Sequence, residues 1–457
     1  MARDTTDRTP VETRHQLVEW LEKGCKPRES WRIGTEHEKF GFYAADYAPV
    51  PYEGDNGIRA LLEAMQAKLA WEPIVDEGRI IGLADQNGKG AISLEPGGQF
   101  ELSGAPLKNI FETCNESNAH LALVKTVAGE LGIAFLGVGS SPDWTLEQTP
   151  RMPKSRYAIM SKYMPKVGSR GLDMMYRTAT IQTNLDFSSE ADMRRKVQVS
   201  TKLQPLASAL FARSPFTEGK PNGLLSWRSQ VWRDTDNQRG GYQAFMLDSG
   251  FGFESYVDWA LEIPMYFVIR DGKYHDCTHV TFRQFMQGAL TGSVPDAIPN
   301  VGDWNNHLTT LFPDVRLKRY FEMRGADGGP WRDICALPAF WTGLMYSQDA
   351  LDAAEKLTAA WSASDVADYR AQVPQKGLNA EIKGVRLLEI ARKTVEIAAG
   401  GLAQRNIQNA SGQDERVFLA PLQETVASGL TPAERLLNKY HGAWQGDIKR
   451  LFDEYAY

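Results

Sequence analysis

The sequence predicts an α+β protein that forms one large domain over residues 1–457. Three observations support this prediction. Four short segments place acidic or amide side chains on alternate residues, as half-buried β-strands do. These segments are spread from position 36 to position 324, so a single domain has to contain most of the chain. From about position 350 the sequence is rich in Ala, Leu, Glu and Arg, which predicts a helical C-terminal layer over 350–457.

The four segments are 34–38, 95–101, 178–184 and 320–324. Successive side chains of a strand point to opposite faces, so Glu36 and Glu38 share a face about 7 Å apart. Glu95, Gln99 and Glu101 share a face as well if their segment is extended. Each strand therefore has one polar and one mostly apolar face.

The remaining elements follow from periodicity and from turn residues. A helical segment is expected over about 1–29, and the interval 80–103 reads as two strands split by the turn at 85–90. The stretch 149–171 contains several Pro, Gly and basic residues and is predicted to be a long ordered loop, of the kind that often forms a lid. Further helices are predicted at 12–24, 56–69 and 106–131, and further strands at 31–43, 133–139, 176–187 and 263–270.

Composition narrows the class of protein. The formal net charge is -6 and there is no long basic run, so nucleic acid is a poor partner. No segment approaches 18 consecutive apolar residues, and the first residues lack the pattern of a secretory signal, so no membrane association and a cytoplasmic location are expected. The four cysteines are widely spaced, which predicts free thiols.

The carboxylates predict a metal site. Five of them would line one cavity: Glu36, Glu38, Glu95, Glu101 and Glu322. Such a cluster cannot ionise fully without cations, and oxygen ligands suit Mg²⁺, with Mn²⁺ as an alternative. A nucleoside triphosphate bound through the metal follows from this.

Two arginines are candidates for anion binding. Arg324 lies on the same strand face as Glu322 and suits a transferring phosphoryl group, although a structural salt bridge is an equal alternative. Arg228 could hold a substrate carboxylate with both guanidinium nitrogens, and surface pairing is its alternative. Lys166 lies in a glycine-containing loop that resembles a phosphate cradle without the spacing of a P-loop. His37 points away from the glutamates and is expected to be packed in the core.

Four blocks of sequence resemble the glutamate–cysteine ligases of plants and proteobacteria. They are residues 31–42, 164–168, 183–187 and 319–331, and the resemblance runs from about position 30 to the C-terminus. It implies a glutamine-synthetase-like fold, in which a curved antiparallel sheet holds metals and ATP over one face and helices cover the other. It also implies ATP-dependent joining of the L-glutamate γ-carboxylate to the L-cysteine amine through γ-glutamyl phosphate, the first step toward glutathione.

The resemblance also assigns roles to individual residues. Arg324, Glu38 and Glu322 are expected in catalysis, and Lys166 and Arg324 on the phosphates. The metal-facing positions would be Glu36, Glu38, Glu95, Glu101, Gln182 and Glu322, and the substrate pocket would contain Arg228, Tyr266, Met175, Thr180 and Asn184.

The plant enzymes use cysteine pairs as a redox switch. Cys114 and Cys335 stand at positions that resemble one such pair, whereas the expected partner of Cys277 is Gly292. Because no transit peptide is evident, a bacterial cytosol is expected. The protein is expected to be a monomer or a homodimer with small-molecule substrates.

Three alternatives remain at this point. The runner-up is a related ATP-dependent carboxylate–amine ligase with another amine acceptor. A metal-dependent hydrolase would turn over without nucleotide. A non-catalytic homologue would bind nucleotide only.

Overall fold

The fold is built around one antiparallel sheet. A computed structural model describes residues 5–88 and 90–457. Met1–Asp4, at the start of the predicted N-terminal segment, and Lys89, in the predicted turn, lie outside the described residues. The nine strands of the sheet within the described residues are β1 (Ile33–Tyr43), β2 (Glu72–Asp76), β3 (Arg79–Ala84), β4 (Gly90–Leu94), β5 (Phe100–Gly104), β6 (Ile133–Leu136), β7 (Thr180–Leu185), β8 (Val315–Leu317) and β9 (Phe321–Asp327).

The strand order places β1 in the middle. It runs β8-β9-β7-β1-β5-β4-β3-β2, and β6 pairs with the second half of β1. β1 is 11 residues long, and all but two of its residues are buried. The early strand predicted at 31–43 is thus the centre of the sheet.

Strand β9 contains a bulge. Met323 pairs with Thr183 of β7, but Ala326 pairs with Ile181, so β9 has one more residue than β7 over this interval. A bulge of this kind bends a strand and re-aims its side chains, and it is common near active sites. Here it falls at Arg324 and Gly325.

Helices cover the apolar face of the sheet. α3, α6 and α11 pack directly on the strands, and α14 packs on α11. The helices of the described residues are α1 (Arg14–Glu22), α2 (Ile58–Leu69), α3 (Ile110–Glu130), α4 (Ser155–Tyr163), α5 (Gly171–Arg177), α6 (Glu190–Leu210), α7 (Trp227–Val231), α8 (Phe253–Glu262), α9 (Phe282–Met286), α10 (Val301–Thr309), α11 (Trp331–Met345), α12 (Gln348–Thr358), α13 (Ala363–Lys376), α14 (Leu387–Arg405), α15 (Ala420–Ser428), α16 (Pro432–His441) and α17 (Lys449–Tyr455).

Short strand pairs complete the structure. The longest is the hairpin of Phe267–Arg270 and Lys273–Asp276. The others join Phe216–Thr217 to Lys220–Pro221, Gly240–Gly241 to Phe312–Pro313, and Glu381–Ile382 to Val385–Arg386.

The predicted loop at 149–171 is wrong, because α4 and a 3₁₀ turn at Met164–Lys166 occupy most of it. The prolines and glycines of this segment have other structural roles. Pro165 lies in the first turn of the 3₁₀ segment, where a missing N–H costs little. A Cβ on Gly168 would lie 2.1 Å from the carbonyl oxygen of Thr235, so this glycine allows close packing.

The cysteine prediction is also corrected. Cys114 of α3 and Cys335 of α11 form a disulfide, while Cys25 and Cys277 are free. The prediction of four free thiols relied on spacing along the sequence, which does not show that α3 and α11 pack against each other.

Within residues 5–88 and 90–457, no helix combines the length and the apolar character that crossing a membrane requires.

Candidate active site

Strand register brings most of the predicted polar residues to one face of the sheet. Glu38 of β1 pairs with Glu101 of β5, and Glu36 pairs with Gln182 of β7. On the next strand, Glu322 of β9 pairs with Asn184 of β7. Paired residues point to the same side of a sheet. We call this side the acidic face; it carries Glu36, Glu38, Glu101, Gln182, Asn184 and Glu322.

Three carboxylates form a cluster at one half of the acidic face. This acidic triad consists of Glu38, Glu95 and Glu101. Burial raises the pKa of Glu38 well above its usual value, and the charges of Glu95 and then Glu101 raise it further. Glu101 accepts a hydrogen bond from Ser93 Oγ, and Glu38 Oε2 accepts one of 3.0 Å from the Thr180 amide.

Glu95 joins the triad from a turn and not, as was predicted, from an extended strand. The segment 95–99 is not extended but is the turn between β4 and β5, closed by Glu95 N–H to Gln99 O at 2.9 Å. Gly98 has a φ of +83°, which favours glycine. The Gln99 side chain is used inside the fold, since its Nε2 donates to Thr178 O at 2.7 Å. The prediction of one extended polar face from Glu95 to Glu101 is therefore wrong, although Glu95 does line the cavity described below.

The other half of the acidic face has its negative charge compensated. Glu322 is fully buried, and both of its carboxylate oxygens accept hydrogen bonds from Arg316 of β8. Lys318 Nζ lies 3.3 Å from Glu322 Oε2, and Arg324 Nη1 lies 3.5 Å from Oε1. Burial opposes ionisation of Glu322, but Arg316 and then Lys318 outweigh it and hold its pKa well below the usual value.

These cations are affected by the same burial. Burial, together with the charge of Arg316, lowers the pKa of Lys318 to about 8. Burial also lowers the pKa of Arg324 to about 10. Arg324 Nη1 donates to Gln182 Oε1, so Gln182 orients the arginine. This half of the face therefore presents fixed positive groups next to a buried carboxylate.

Glu36 connects the two halves. Its Oε1 accepts a 2.8 Å hydrogen bond from Asn184 Nδ2. Gly34, the partner of Asn184 on β1, makes room for this amide, because a Cβ there would lie 3.1 Å from Asn184 Cβ. Asn184 thus orients Glu36.

A cavity of about 510 Å³, including space open to solvent, lies over the acidic face. Its walls combine two members of the triad, two arginines, and aromatic and methionine side chains. We call it the central cavity; it is lined by Glu38, Glu95, Pro96, Gln99, Tyr157, Met160, Met174, Met175, Thr178, Thr180, Arg228, Trp232, Phe312 and Arg324.

Arg228 is a buried cation at the wall of the central cavity, with 4% of its surface exposed. Its Nη2 donates to the carbonyl oxygen of Arg324 at 2.8 Å. Among the described residues it forms no ion pair with a carboxylate at 4 Å or less. Burial lowers its pKa, and Asp327 and then Glu38 counter that effect. The other guanidinium nitrogens are therefore suited to bind an anionic ligand.

Asp327 holds the segment that carries Arg228. Its Oδ2 accepts from the Arg213 amide at 2.8 Å and from Ser214 Oγ at 2.6 Å. Its Oδ1 accepts from Ser226 Oγ at 2.8 Å, and Ser226 is the N-cap of α7. The carboxylate thus connects the end of β9 to the start of the helix that bears Arg228.

Two predicted site residues lie neither on the acidic face nor in the wall of the central cavity. Lys166 is exposed at the end of the 3₁₀ turn, so its predicted phosphate contact is not supported. Tyr266 is fully buried behind Phe312, with a centroid distance of 6.4 Å, and packs on Arg239 at 3.8 Å. Tyr266 therefore supports the wall of the cavity.

Sequence reasoning missed several residues of the site. Arg316 and Lys318 continue the alternation that ends in Glu322 and Arg324, and this continuation could have revealed them. Tyr157 and Met160 lie on α4, in the segment that was predicted to be a loop. Phe312 and Trp232 had no recognisable signal.

The donor set at the triad fits a hard divalent ion. Within residues 5–88 and 90–457, no three His, Cys, Asp or Glu side chains converge closely enough to hold an ion as they stand. Glu95 and Glu101 are nevertheless close enough to Glu38 to raise its pKa, and a bound cation would lower that pKa again. At Glu322, an ion would have to displace the Arg316 guanidinium.

Comparison with known proteins places this geometry in a family. The family model of glutamate-cysteine ligase family 2 (GCS2) matches residues 32–454. The chain belongs to this family. It is 53% identical over 445 residues to a chloroplastic glutamate–cysteine ligase of Brassica juncea, covering 97% of this chain and 84% of that protein. It is 52% identical over 445 residues to chloroplastic glutamate–cysteine ligase A of Oryza sativa subsp. indica, covering 97% of this chain and 88% of that protein.

A solved structure supports the fold. Glutamate–cysteine ligase of Francisella tularensis, in complex with AMP, aligns with a TM-score of 0.56 at 11% identity, covering 93% of this chain and 89% of that chain. The predicted family, the α+β fold with a large antiparallel sheet and the assignment as a glutamate–cysteine ligase are thus confirmed.

The predicted bacterial cytoplasmic location is contradicted. The relatives from Oryza, Brassica and Nicotiana are named as chloroplastic proteins. The prediction relied on the pattern of the first residues of the sequence, and a missing leader pattern there is not evidence for a compartment.

Proposed function

We propose that the central cavity is where this ligase joins the γ-carboxylate of L-glutamate to the amine of L-cysteine, with ATP as co-substrate. The observation that supports this proposal is that one cavity is lined by Glu38 and Glu95 of the acidic triad and by the two arginines Arg228 and Arg324. The family supplies the reaction, and the geometry suggests which residues carry it out. The products are γ-glutamylcysteine, ADP and phosphate.

Arg228 holds the α-carboxylate of glutamate. It is the buried cation of the cavity wall with nitrogens left for a ligand, and Asp327 and α7 fix its position. A guanidinium and a carboxylate form two parallel charge-assisted hydrogen bonds. This orients the glutamate so that its γ-carboxylate points toward the acidic face. Met175 and Thr180 line the same space.

Arg324 stabilises the phosphoryl group during transfer. A glutamate γ-carboxylate oxygen attacks the terminal phosphorus of ATP, and the bond from phosphorus to the bridging oxygen breaks to give ADP and γ-glutamyl phosphate. Negative charge on the transferring group needs a fixed cation, and Arg324 is held by Gln182 and Glu322 at the floor of the cavity.

The cysteine amine then attacks the acyl carbon. The carbon–nitrogen bond forms, the bond to the phosphate oxygen breaks, and inorganic phosphate leaves while the nitrogen loses a proton. The aromatic and methionine walls formed by Tyr157, Met160 and Phe312 limit water near the acyl phosphate.

A divalent ion, Mg²⁺ with Mn²⁺ as an alternative, fits the acidic triad. Glu38, Glu95 and Glu101 would hold it, with Glu36 and Gln182 next along the face and Glu322 only after displacement of Arg316. Bound there, the ion would neutralise the carboxylates and phosphate oxygens.

Product analysis tests the proposal. Mass spectrometry of a reaction with glutamate, ATP, Mg²⁺ and a pool of amino acids is expected to give γ-glutamylcysteine, with ADP formed only when glutamate, cysteine and the metal are all present. Glu38→Gln is expected to abolish ADP formation, whereas Lys166→Gln, at an exposed position, is expected to retain it. A glutamyl product with another amine would instead assign the chain to a ligase with a different acceptor. The oligomeric state, monomer or homodimer, stays a prediction.

A further inference from the structure

The bulge of β9 lies directly against helix α6. Arg324 and Gly325 together oppose the single residue Gln182 of β7, and a bulge of this kind leaves backbone groups without a partner in the sheet. Gly325 faces α6, since a Cβ built on it would lie 2.2 Å from Gln204 Nε2 and 2.8 Å from Ser208 Oγ. Glycine makes room for these side chains but leaves its own backbone free to rotate. The bulge therefore needs a group outside β9 to fix its conformation.

Ser208 of α6 supplies such a group. Its Oγ donates to the carbonyl oxygen of Gly325 at 2.9 Å, from a buried position. The carbonyl oxygen of Gln204 lies 3.1 Å from the same hydroxyl, but the helix already provides that carbonyl with a backbone donor. The hydrogen bond from Ser208 thus joins the helical layer to the bulge.

The neighbouring carbonyl of the bulge faces the active site. Arg324 O accepts from Arg228 Nη2 at 2.8 Å, and Thr180 Oγ1 lies 3.4 Å from it. The two successive carbonyl groups therefore bind on opposite sides of the sheet, one to α6 and the other to the wall of the central cavity. A rotation of the backbone at Gly325 would move both carbonyls, and with them the two arginines of the cavity.

We propose that Ser208 is a positioning residue of the active site. This inference rests on the proposed function. By holding the Gly325 carbonyl, Ser208 fixes the peptide group that joins Arg324 to Gly325, and the Arg324 carbonyl in turn holds the guanidinium of Arg228. One hydroxyl behind the sheet thus sets the positions of the arginine proposed for phosphoryl transfer and of the arginine proposed for glutamate binding. Displacing groups of this kind by about 1 Å costs up to about 100-fold in rate.

Three substitutions separate the hydroxyl of Ser208 from the shape of the side chain. Ser208→Ala removes the donor. Ser208→Thr and Ser208→Val have nearly the same size as each other, and only threonine keeps the donor. Ser208 borders a cavity of about 470 Å³, including space open to solvent, so the larger side chains have room.

Steady-state kinetics of the full-length enzyme measures the effect. Ser208→Ala and Ser208→Val are expected to lower kcat about tenfold, because Arg324 is no longer held at the transferring phosphoryl group. They are also expected to raise KM for glutamate about threefold, because Arg228 loses its fixed position, and to leave KM for cysteine unchanged. Ser208→Thr should restore kcat and KM for glutamate to within about twofold of the wild type.

Ser200→Ala is the matched control. Ser200 is a buried serine about two turns earlier on α6, and its hydroxyl donates to Met345 Sδ at 3.8 Å and not to the sheet. Losing one hydrogen bond should lower the melting temperature of either alanine variant by only about 1 °C, and Ser200→Ala should keep the kcat and KM of the wild type.

Two results would overturn the role of Ser208. They are wild-type kinetics of Ser208→Val and equal losses for the threonine and valine variants. A wild-type enzyme that makes no γ-glutamylcysteine from glutamate, cysteine and ATP would instead refute the proposed function itself, which distinguishes the two failures.

Discussion

Replacing Glu322 with glutamine tests whether this residue acts first as the anchor of a buried ion-pair network. Glu322 is fully buried and has Arg316, Lys318 and Arg324 around its two oxygens. The substitution keeps the shape and removes the charge. It leaves the surrounding cations without their central counter-charge, which is costly in a buried site.

The structure sets the size of the effect. Breaking a buried pair by removing one partner costs about 3–5 kcal/mol. Unfolding entropy of about 2.1 cal/mol/K per residue gives, for 457 residues, about 1 kcal/mol per degree. The melting temperature of Glu322→Gln should therefore fall by about 3–5 °C.

The assay is thermal unfolding in EDTA, so that no metal contributes. Glu101→Gln is the matched control, because Glu101 accepts a hydrogen bond from Ser93, faces the like charge of Glu38, and has Lys39 near it but beyond ion-pair distance. Removing its charge relieves repulsion and should leave the melting temperature equal or higher. If both variants melt within about 1 °C of the wild type, the ion-pair account of Glu322 is wrong and a role that needs the metal is left.

Three further predictions use the same protein. Arg228→Lys keeps a charge but loses the two parallel hydrogen bonds that a guanidinium can form. Steady-state kinetics should therefore show KM for glutamate rising about 10- to 100-fold with KM for ATP unchanged. Equal rises in both KM values would contradict the proposed role of Arg228. Burial raises the pKa of Glu116 from 4.5 to about 7. The folded state therefore holds this proton more tightly, and the free energy of unfolding falls as pH rises through that interval. Glu116→Gln should be more heat-stable than the wild type at about pH 8 and no more stable at about pH 5, and the same difference at both pH values would contradict this. Cys335→Ser opens a link between residues 221 apart and should lower stability by about 2–5 kcal/mol in non-reducing melts, a loss that should disappear when both proteins are reduced.

The sequence alone was sufficient to predict which side chains share the polar face of the central strands. Alternation in β1 places Glu36 and Glu38 on one side whatever packs around them, because the period of a strand is fixed by its backbone. The partners Glu101 and Gln182 followed from the same rule, and the registers of β5 and β7 align them with β1.

Packing between distant segments could not be predicted in this way. The turn at 95–99 depends on Gln99 donating to the carbonyl of Thr178, and helix α4 forms between the prolines and glycines of 149–171, none of which it contains. Lys166 lies in a glycine-containing segment that resembles a phosphate-binding loop, but tertiary structure decides whether its side chain is exposed to solvent. The disulfide likewise requires α3 and α11 to meet.

The bulge in β9 changes which residues of that strand can cooperate. In a regular strand, Glu322 and Asp327 would point to opposite sides, since they are five positions apart. The extra residue at Arg324–Gly325 reverses the alternation, and Asp327 pairs with Thr180 on the same side as Gln182. Deleting one residue there would turn Asp327 toward the helices behind the sheet and detach α7 from it. One extra residue thus lets a single strand hold Arg324, which we propose for phosphoryl transfer, with Glu322, and hold the helix of Arg228, which we propose for glutamate binding, with Asp327.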